Sequence, residues 1–340
     1  MVASKYRSSY LSSVARSALR GALAFGQFAF ALWATLAIYF SNLPWSWARL
    51  ALAAAFAVFS VWALRLTRRA WARPAFVVLL LAVIAWEVSI PPSHDRIWRP
   101  EVAVLPRAFV DGDRVRITGV RDFSYRSVQD FTARYIERDV HLSHLTSMDF
   151  FISYWGPENG PVAHTFVSFN FDDAAPLAIS IEARPEEGEG YAPVASLFKQ
   201  FELIYVVGEE RDVVGVRVTH RPEAVFLYPI HATPDDVRRL FLVYVQRINE
   251  IADHAEWYSL LRSNCTLNII RYARAVGWPS GFNIRHYLNG WVDRYLYGRG
   301  LLGTALPFED LRARARVEEH LQPDEDAADF SRRIRRPPPD

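Results

Sequence analysis

The sequence predicts an α+β protein in which three membrane-spanning helices precede one mixed domain of strands and helices. Three apolar runs with almost no charge lie within the first 92 residues. After them, strand-like alternation comes first and helix-like periodicity follows. The predicted parts are a basic leader at 1–20, a transmembrane region at 21–92, a soluble domain at 93–335 and a mobile tail at 336–340.

The apolar runs have the length and composition of membrane helices. "GALAFGQFAFALWATLAIYF" (21–40) holds no charge and is long enough to cross a hydrocarbon core of about 30 Å. "LALAAAFAVFSVWAL" (50–64) is shorter and becomes adequate if Arg49 extends to the interface. "PAFVVLLLAVIAWEVSI" (74–90) forms the third span. Three such runs in succession are not the pattern of a cleaved signal peptide.

The distribution of charge predicts the orientation in the membrane. Residues 1–93 hold nine basic side chains and one acid, whereas the other 247 residues carry a net −6. Eight of the nine basic residues lie in the leader and in the second loop (65–73), and the first loop (41–47) has none. Positively charged loops stay in the cytoplasm. We therefore expect a multi-pass protein of the bacterial inner membrane, with its C-terminal domain in the periplasm.

Several segments of the soluble domain have clear patterns. "VAHTFVSFNF" and "PLAISIEAR" read as a β-hairpin that turns near Asp173. Thr233 followed by Pro234 marks the start of a long helix. The arginines of the closing "RRIRRPPPD" read as a solvated, mobile end. Three further segments alternate like half-buried strands: "RVRITGV" (114–120), "MDFFISYW" (148–155) and "DVVGVRVT" (212–219).

Common cofactor and metal motifs are missing from the sequence. It holds no glycine-rich phosphate loop, no H-E-x-x-H and no G-x-S-x-G. His141 and His144 in "HLSHL" could share a helix face, but without a nearby carboxylate pattern we read them as polar surface residues. We therefore expect neither cofactor nor metal. The net charge of +2 argues against a nucleic-acid partner.

Cys265 is the only cysteine, so no disulfide can form within the chain. "NCTLNIIRYARAVGW" reads as a helix whose N-cap is Asn264, which places Cys265 in the first turn. The exposed N–H groups and positive dipole end there favour a thiolate and could hold an oxyanion. The alternative is a buried cysteine that acts only as a small apolar residue.

A cysteine nucleophile needs a base, and His164 in the predicted hairpin is the candidate. A turn centred near residue 173 places Glu182 opposite His164, where its carboxylate could orient the imidazole. A register slip of two residues would place Ser180 or Arg184 there instead. A strand histidine bonded to backbone and a surface glutamate are the alternatives.

Six strings occur in an order that resembles the Lnb-type periplasmic domain family: "GVRDFSYRS", "AHTFVSFNFDD", "ISIEARPEEGEGY", "YVVGEERDVVGVRV", "WYSLLRSNCTLNI" and "DFSRRIRRP". The resemblance implies a permuted papain-like (NlpC/P60-like) fold in which the histidine strand precedes the cysteine helix. The family's cysteine and histidine fall on Cys265 and His164. The chain departs from the family pattern at "NCTL", where a second threonine is expected, and at "GVR", where "NVR" is expected.

The resemblance implies a membrane-anchored Cys/His acyltransferase. It would transfer an acyl chain from a phospholipid to the amine of a bacterial lipoprotein through a thioester on Cys265. Two alternatives remain open: a thiol peptidase or amidase acting on cell-wall peptide or lipoprotein, and a non-catalytic interaction module. Six residues are candidates for the oxyanion or substrate site, although loop-bracing ion pairs would explain the arginines equally well: Asn264, Thr266, Arg121, Tyr125, Arg184 and Tyr191.

Overall fold

The computed structural model describes residues 2–221, 223–278, 280–317 and 327–336 of the chain. Its contacts divide the chain into two compact units. The first comprises Met1–Pro92 together with Val194–Gln200, and the second comprises Ser93–Pro193 together with Phe201–Asp340.

The first unit is built from three long helices. They are α1 (Val2–Tyr39), α2 (Ser46–Val61), which a π-helical turn extends through Trp62–Leu66, and α3 (Ala72–Ser89). Each contains an apolar stretch long enough to cross a bilayer: Ala15–Tyr39, Ser46–Leu66 and Ala72–Ser89. The three predicted spans are therefore confirmed. Helix α1 begins well before its span, so the basic leader continues the first membrane helix.

A short segment from far along the chain packs with these helices. The ring of Phe198 stacks on Phe40 at 5.6 Å and lies 6.5 Å from Trp33. Lys199 Nζ donates hydrogen bonds to the carbonyls of Glu87, Val88 and Ile90 at the end of α3. The last carbonyls of a helix have no partner within it, so this lysine satisfies groups that would otherwise need water.

The second unit is centred on an eight-stranded sheet in the order β1-β2-β9-β8-β7-β6-β10, with β5 also paired to β2. All pairings are antiparallel except β2 with β9. A separate two-stranded sheet contains β3 and β4. The strands are β1 (Arg107–Asp111), β2 (Arg114–Arg121), β3 (Ser124–Tyr125), β4 (Phe131–Thr132), β5 (Tyr135–His141), β6 (Leu145–Tyr154), β7 (His164–Phe171), β8 (Leu177–Arg184), β9 (Glu202–Glu209) and β10 (Ala224–Pro229).

Helices cover both faces of this sheet. On one face Phe169 packs against Phe241 and Tyr244 of α5, with ring centroids 5.0 and 5.5 Å apart. The opposite face carries a core that includes Phe166 and Phe330. The helices are α4 (Glu210–Val213), α5 (Pro234–Asp253), α6 (Cys265–Ala275), α7 (Val292–Gly298), α8 (Phe308–Ala315) and α9 (Ala327–Arg333). The predicted mixed helix-and-sheet class is confirmed.

The hairpin prediction is also confirmed in its register. Strands β7 and β8 pair with Phe166 opposite Ser180, which corresponds to a turn centred at residue 173. The long helix begins after Thr233, whose hydroxyl accepts a hydrogen bond from the N–H of Asp236.

One strand prediction is wrong. "DVVGVRVT" forms the end of α4 and a π-helical turn (Val216–His220) rather than a strand. Val213 and Val214 are both buried although they are adjacent in sequence. Val216 and Val218 are buried as well. Because helical turns packed against the sheet bury several sides at once, the alternation at 214, 216 and 218 did not report strand geometry.

The prediction that the closing arginines are solvated is also wrong for Arg335. Its guanidinium lies 2.7 Å from Asp149 Oδ2 and 2.6 Å from Glu210 Oε1, and both carboxylates are buried. Phe330 and Ile334 belong to the core. The arginine therefore neutralises two acids that burial would otherwise disfavour. Of the predicted mobile tail, residues 337–340 lie outside the described residues.

We expect Arg335→Met to lower the free energy of unfolding by about 3 kcal/mol, because it leaves two buried carboxylates without their cation. Arg332→Met is the control, since Arg332 is exposed and forms a surface pair with Asp329, and should cost less than about 1 kcal/mol. Denaturant unfolding of the detergent-solubilised chain measures both. Equal losses would contradict the assigned role of Arg335.

Candidate active site

Cys265 is the first residue of α6, as predicted. The side-chain oxygen of Asn264 accepts a hydrogen bond from the N–H of Leu267 at 2.8 Å, which makes Asn264 the N-cap. Only 2% of Cys265 is exposed. The sulfur therefore lies at the positive end of a helix and is shielded from bulk water.

A chain of hydrogen bonds connects His164 to a carboxylate. His164 Nε2 lies 2.7 Å from Ser180 Oγ, and Ser180 Oγ donates to Glu182 Oε1 at 2.7 Å. Because the single hydroxyl proton is given to the carboxylate, Ser180 must accept from Nε2–H. The imidazole is then held in the Nε2–H tautomer, and Nδ1 keeps the lone pair that a general base needs.

Arg217 fixes the far end of this chain. Its Nη2 donates to Glu182 Oε1 at 2.9 Å, and its guanidinium lies over the Phe166 ring at 4.9 Å. Burial disfavours the charged form of Glu182, but Arg217 and His164 outweigh that effect and hold its pKa well below the usual range. The carboxylate therefore stays ionised and remains an acceptor for Ser180.

The environment of Cys265 favours its thiolate. Burial alone would raise the pKa of the thiol. Once Nδ1 has taken up a proton, the charge of the His164 imidazolium, together with hydrogen bonds from His164 and Thr165, outweighs burial and lowers the pKa from 9.0 to about 6. A substantial fraction of the sulfur is then nucleophilic at neutral pH.

Two polar contacts lock the cysteine helix to the histidine strand. The hydroxyls of Thr165 and Thr266, each next to a candidate catalytic residue, lie 2.8 Å apart. Asn289 donates from Nδ2 to Thr266 Oγ1 at 3.1 Å, and the same nitrogen lies 3.7 Å from Cys265 Sγ. Its Oδ1 accepts from the N–H of Ala163 at 2.9 Å. Asn289 thus touches the sulfur and bridges the strand and the helix.

Two predicted binding residues are the sequence neighbours of Cys265, and a third, Tyr191, is connected to it through Tyr258. Asn264 uses both ends of its amide in the loop and helix cap, since Nδ2 donates to Leu260 O at 2.7 Å. Thr266 belongs to the lock described above. Tyr191 is 39% exposed and shares a side-chain hydrogen bond with Tyr258. Burial and the nearby thiol raise the pKa of Tyr258 well above its usual value.

The other three occupy structural contacts. Arg121 forms a buried ion pair with Asp212 at 2.8 Å, and the Tyr125 hydroxyl donates to the same carboxylate at 3.3 Å. Arg184 donates to the carbonyls of Val102 and Ala103 and lies over the ring of Trp98. These contacts correspond to the loop-bracing alternative left open by the sequence.

Arg217 and Asn289 are the principal site residues that sequence reasoning missed. Arg217 lies in the segment misread as a strand, which hid its approach to Glu182. Asn289 lies in a short 3₁₀ turn (Asn289–Trp291), 24 residues after Cys265. A single asparagine in a loop carries no signal by itself, so only the fold reveals it.

One family model covers the part of the chain that holds both candidate catalytic residues. Residues 131–287 match the family model described as the Lnb N-terminal periplasmic domain. The matched segment contains both His164 and Cys265, and the predicted resemblance is confirmed. Together with the three apolar helices, the Lnb-type domain identifies an inner-membrane protein whose C-terminal domain is periplasmic. No curated protein and no solved structure matches the chain.

We expect alkylation of Cys265 to increase with pH around a midpoint near 6. In His164→Ala the midpoint should move well above 6, because burial is then opposed only by the hydrogen bonds from Thr165. At pH 7 the variant should react at least about tenfold more slowly. Mass spectrometry with a small alkylating reagent follows this directly, since the chain has one cysteine. An unchanged midpoint in His164→Ala would refute the pairing of His164 with Cys265. His254→Ala, which alters an exposed histidine, serves as control.

Ser180→Ala tests the hydrogen-bond chain. Without the hydroxyl, Nε2–H loses its acceptor, and the alkylation rate of Cys265 at pH 7 should fall about fivefold, the equivalent of about 1 kcal/mol. Ser168→Ala is the matched control, because Ser168 is equally buried and its Oγ has no partner among the described residues. Equal alkylation rates in the two variants would exclude the chain of hydrogen bonds through Ser180.

Proposed function

We propose that this protein is a thiol acyltransferase that N-acylates bacterial lipoproteins from a phospholipid donor. The observation that supports it most is the fixed tautomer of His164. Its Nδ1 is available to take a proton from Cys265, while Ser180 and Glu182 hold Nε2–H. This is the arrangement that a cysteine nucleophile and its base require.

In the first half-reaction the Cys265 thiolate would attack the carbonyl carbon of a phospholipid ester. The new C–S bond forms and the ester C–O bond breaks. The leaving alkoxide takes the proton from His164, so a lysophospholipid departs and a thioester remains. The N–H groups of the first turn of α6 would hold the oxyanion that develops on the carbonyl.

In the second half-reaction the α-amine of a lipoprotein would attack the thioester. The C–N bond forms, the C–S bond breaks, and His164 takes the amine proton. The thiolate is regenerated and the lipoprotein leaves as an amide. Because thioesters react with amines more readily than esters do, cysteine suits this transfer better than serine.

The burial of Cys265 favours transfer over hydrolysis. A thioester reacts with water unless water is excluded. With 2% of the residue exposed, few solvent molecules would reach the intermediate. A peptidase or amidase, by contrast, needs a water that attacks the acyl carbon bonded to this sulfur.

An amphipathic groove on the outer side of α6 supports a lipid donor. It has a volume of about 300 Å³, and its apolar lining includes Phe282, which is 83% exposed. Arg262, Arg271 and Arg274 line it as well. Guanidinium groups recognise phosphate, and apolar side chains suit an acyl chain, so the groove matches both parts of a phospholipid.

The decisive experiment is mass spectrometry of lipoprotein N-terminal peptides from a strain that lacks other lipoprotein N-acylation. With the wild-type chain we expect N-acylated peptides. With Cys265→Ala or His164→Ala we expect free α-amines, with at least about a hundredfold less product.

Ser168→Ala should behave as wild type in this assay. Shortened lipoproteins or cleaved cell-wall peptides, with free amines retained, would instead establish the hydrolase alternative. Full acylation by Cys265→Ala would refute the proposal.

A further inference from the structure

Two turns at one end of the sheet bring four metal-ligand side chains together. His141 ends β5, and His144 lies in the 3₁₀ turn Leu142–His144 that follows. Asp172 and Asp173 open the turn between β7 and β8. The N–H of Asp172 donates to the carbonyl of His144 at 3.0 Å, so the two turns are joined through their backbones.

The ligand atoms face one another. His144 Nδ1 lies 2.6 Å from Asp172 Oδ1 and 4.0 Å from Asp173 Oδ2. His141 Nδ1 lies 3.1 Å from the same oxygen of Asp173. The carboxylates come 28 and 32 positions after the histidines that they contact, so the sequence alone did not reveal the cluster.

We propose that His141, His144, Asp172 and Asp173 bind a divalent transition-metal ion, with Zn²⁺ as the best fit. Zinc takes four nitrogen or oxygen ligands at about 2.0–2.2 Å in a tetrahedron, which places neighbouring ligand atoms about 3.3 Å apart. The ligand atoms of His144, Asp172 and Asp173 all lie within 4.8 Å of one another, and His141, which contacts Asp173 at 3.1 Å, would complete the set by a rotation of its ring.

A neighbouring carboxylate supports the turn that carries the histidines. Asp113 accepts hydrogen bonds from the N–H of Ser143 at 2.8 Å and from its hydroxyl at 2.6 Å. Ser143 lies between Leu142 and His144, so Asp113 fixes the backbone from which the imidazole projects. Such outer contacts orient ligands in metal sites.

The ion would have a structural role. His164 begins β7, whereas Asp172 follows its last residue, so the strand separates the two sites by about 25 Å at about 3.3 Å per residue. The metal would tie the turn after β5 to the β7–β8 turn. It would thereby stabilise the hairpin that carries His164 and Glu182 without touching them.

Isothermal titration of the tag-free full chain in detergent, after removal of metals, tests this with ZnCl₂. We expect one equivalent of Zn²⁺ to bind and the melting temperature to rise, because the ion binds the folded state. His144→Asn combined with Asp173→Asn should weaken binding at least about tenfold. His254→Asn, which alters an exposed histidine outside the cluster, should leave the affinity unchanged.

Co²⁺ provides a second readout, since a tetrahedral site gives it an intense visible absorption that six-coordinate water does not. The alkylation profile of Cys265 verifies that each variant is folded. Absence of Zn²⁺ binding to the wild type, or equal affinity in the double variant, would mean that the cluster forms His–Asp pairs only and would overturn the proposal.

Discussion

The ion pair between Arg217 and Glu182 determines the chemistry of the whole site. A carboxylate in a partly buried position would tend to take up a proton, and a protonated Glu182 could donate to Ser180 instead of accepting from it. The direction of every hydrogen bond up to His164 would then reverse. Because Arg217 keeps Glu182 ionised, the proton on Nε2 and the lone pair on Nδ1 are both specified. The tautomer of His164 is therefore set by Arg217, which acts through Glu182 and Ser180.

Local patterns in the sequence were sufficient for the parts of the site that depend on local geometry. Asn264 followed by an apolar period identified the start of α6, and a short turn between two alternating runs identified the hairpin and its register. His164 and Glu182 therefore lie on neighbouring strands, as predicted. The role of Ser180 was less accessible. Sequence reasoning considered Ser180 only for a shifted register. In the expected register its hydroxyl lies 2.7 Å from both His164 Nε2 and Glu182 Oε1, which are themselves 3.7 Å apart.

Contacts that depend on tertiary structure could not be predicted. Arg217 was hidden by a run of valines whose burial against the sheet imitates strand alternation. Arg335 looked like one of several solvated arginines until the fold placed two buried carboxylates beside it. Asn289 lies 126 residues from Ala163, so its bridge exists only after β7, α6 and the following turn have assembled. The complete site therefore exists only where these distant contacts are formed.

The solitary position of Cys265 has a consequence for the durability of the protein. A thiolate in an oxidising compartment is prone to conversion to sulfenic acid, which most redox-active proteins reverse by forming a disulfide with a second cysteine. This chain has none, so each oxidation event within it would be terminal unless an external thiol intervened. The 2% exposure of Cys265 therefore protects the resting residue from oxidants as well as the proposed intermediate from water. The working lifetime of the protein in the periplasm would depend on how seldom local motions expose the sulfur to oxidants.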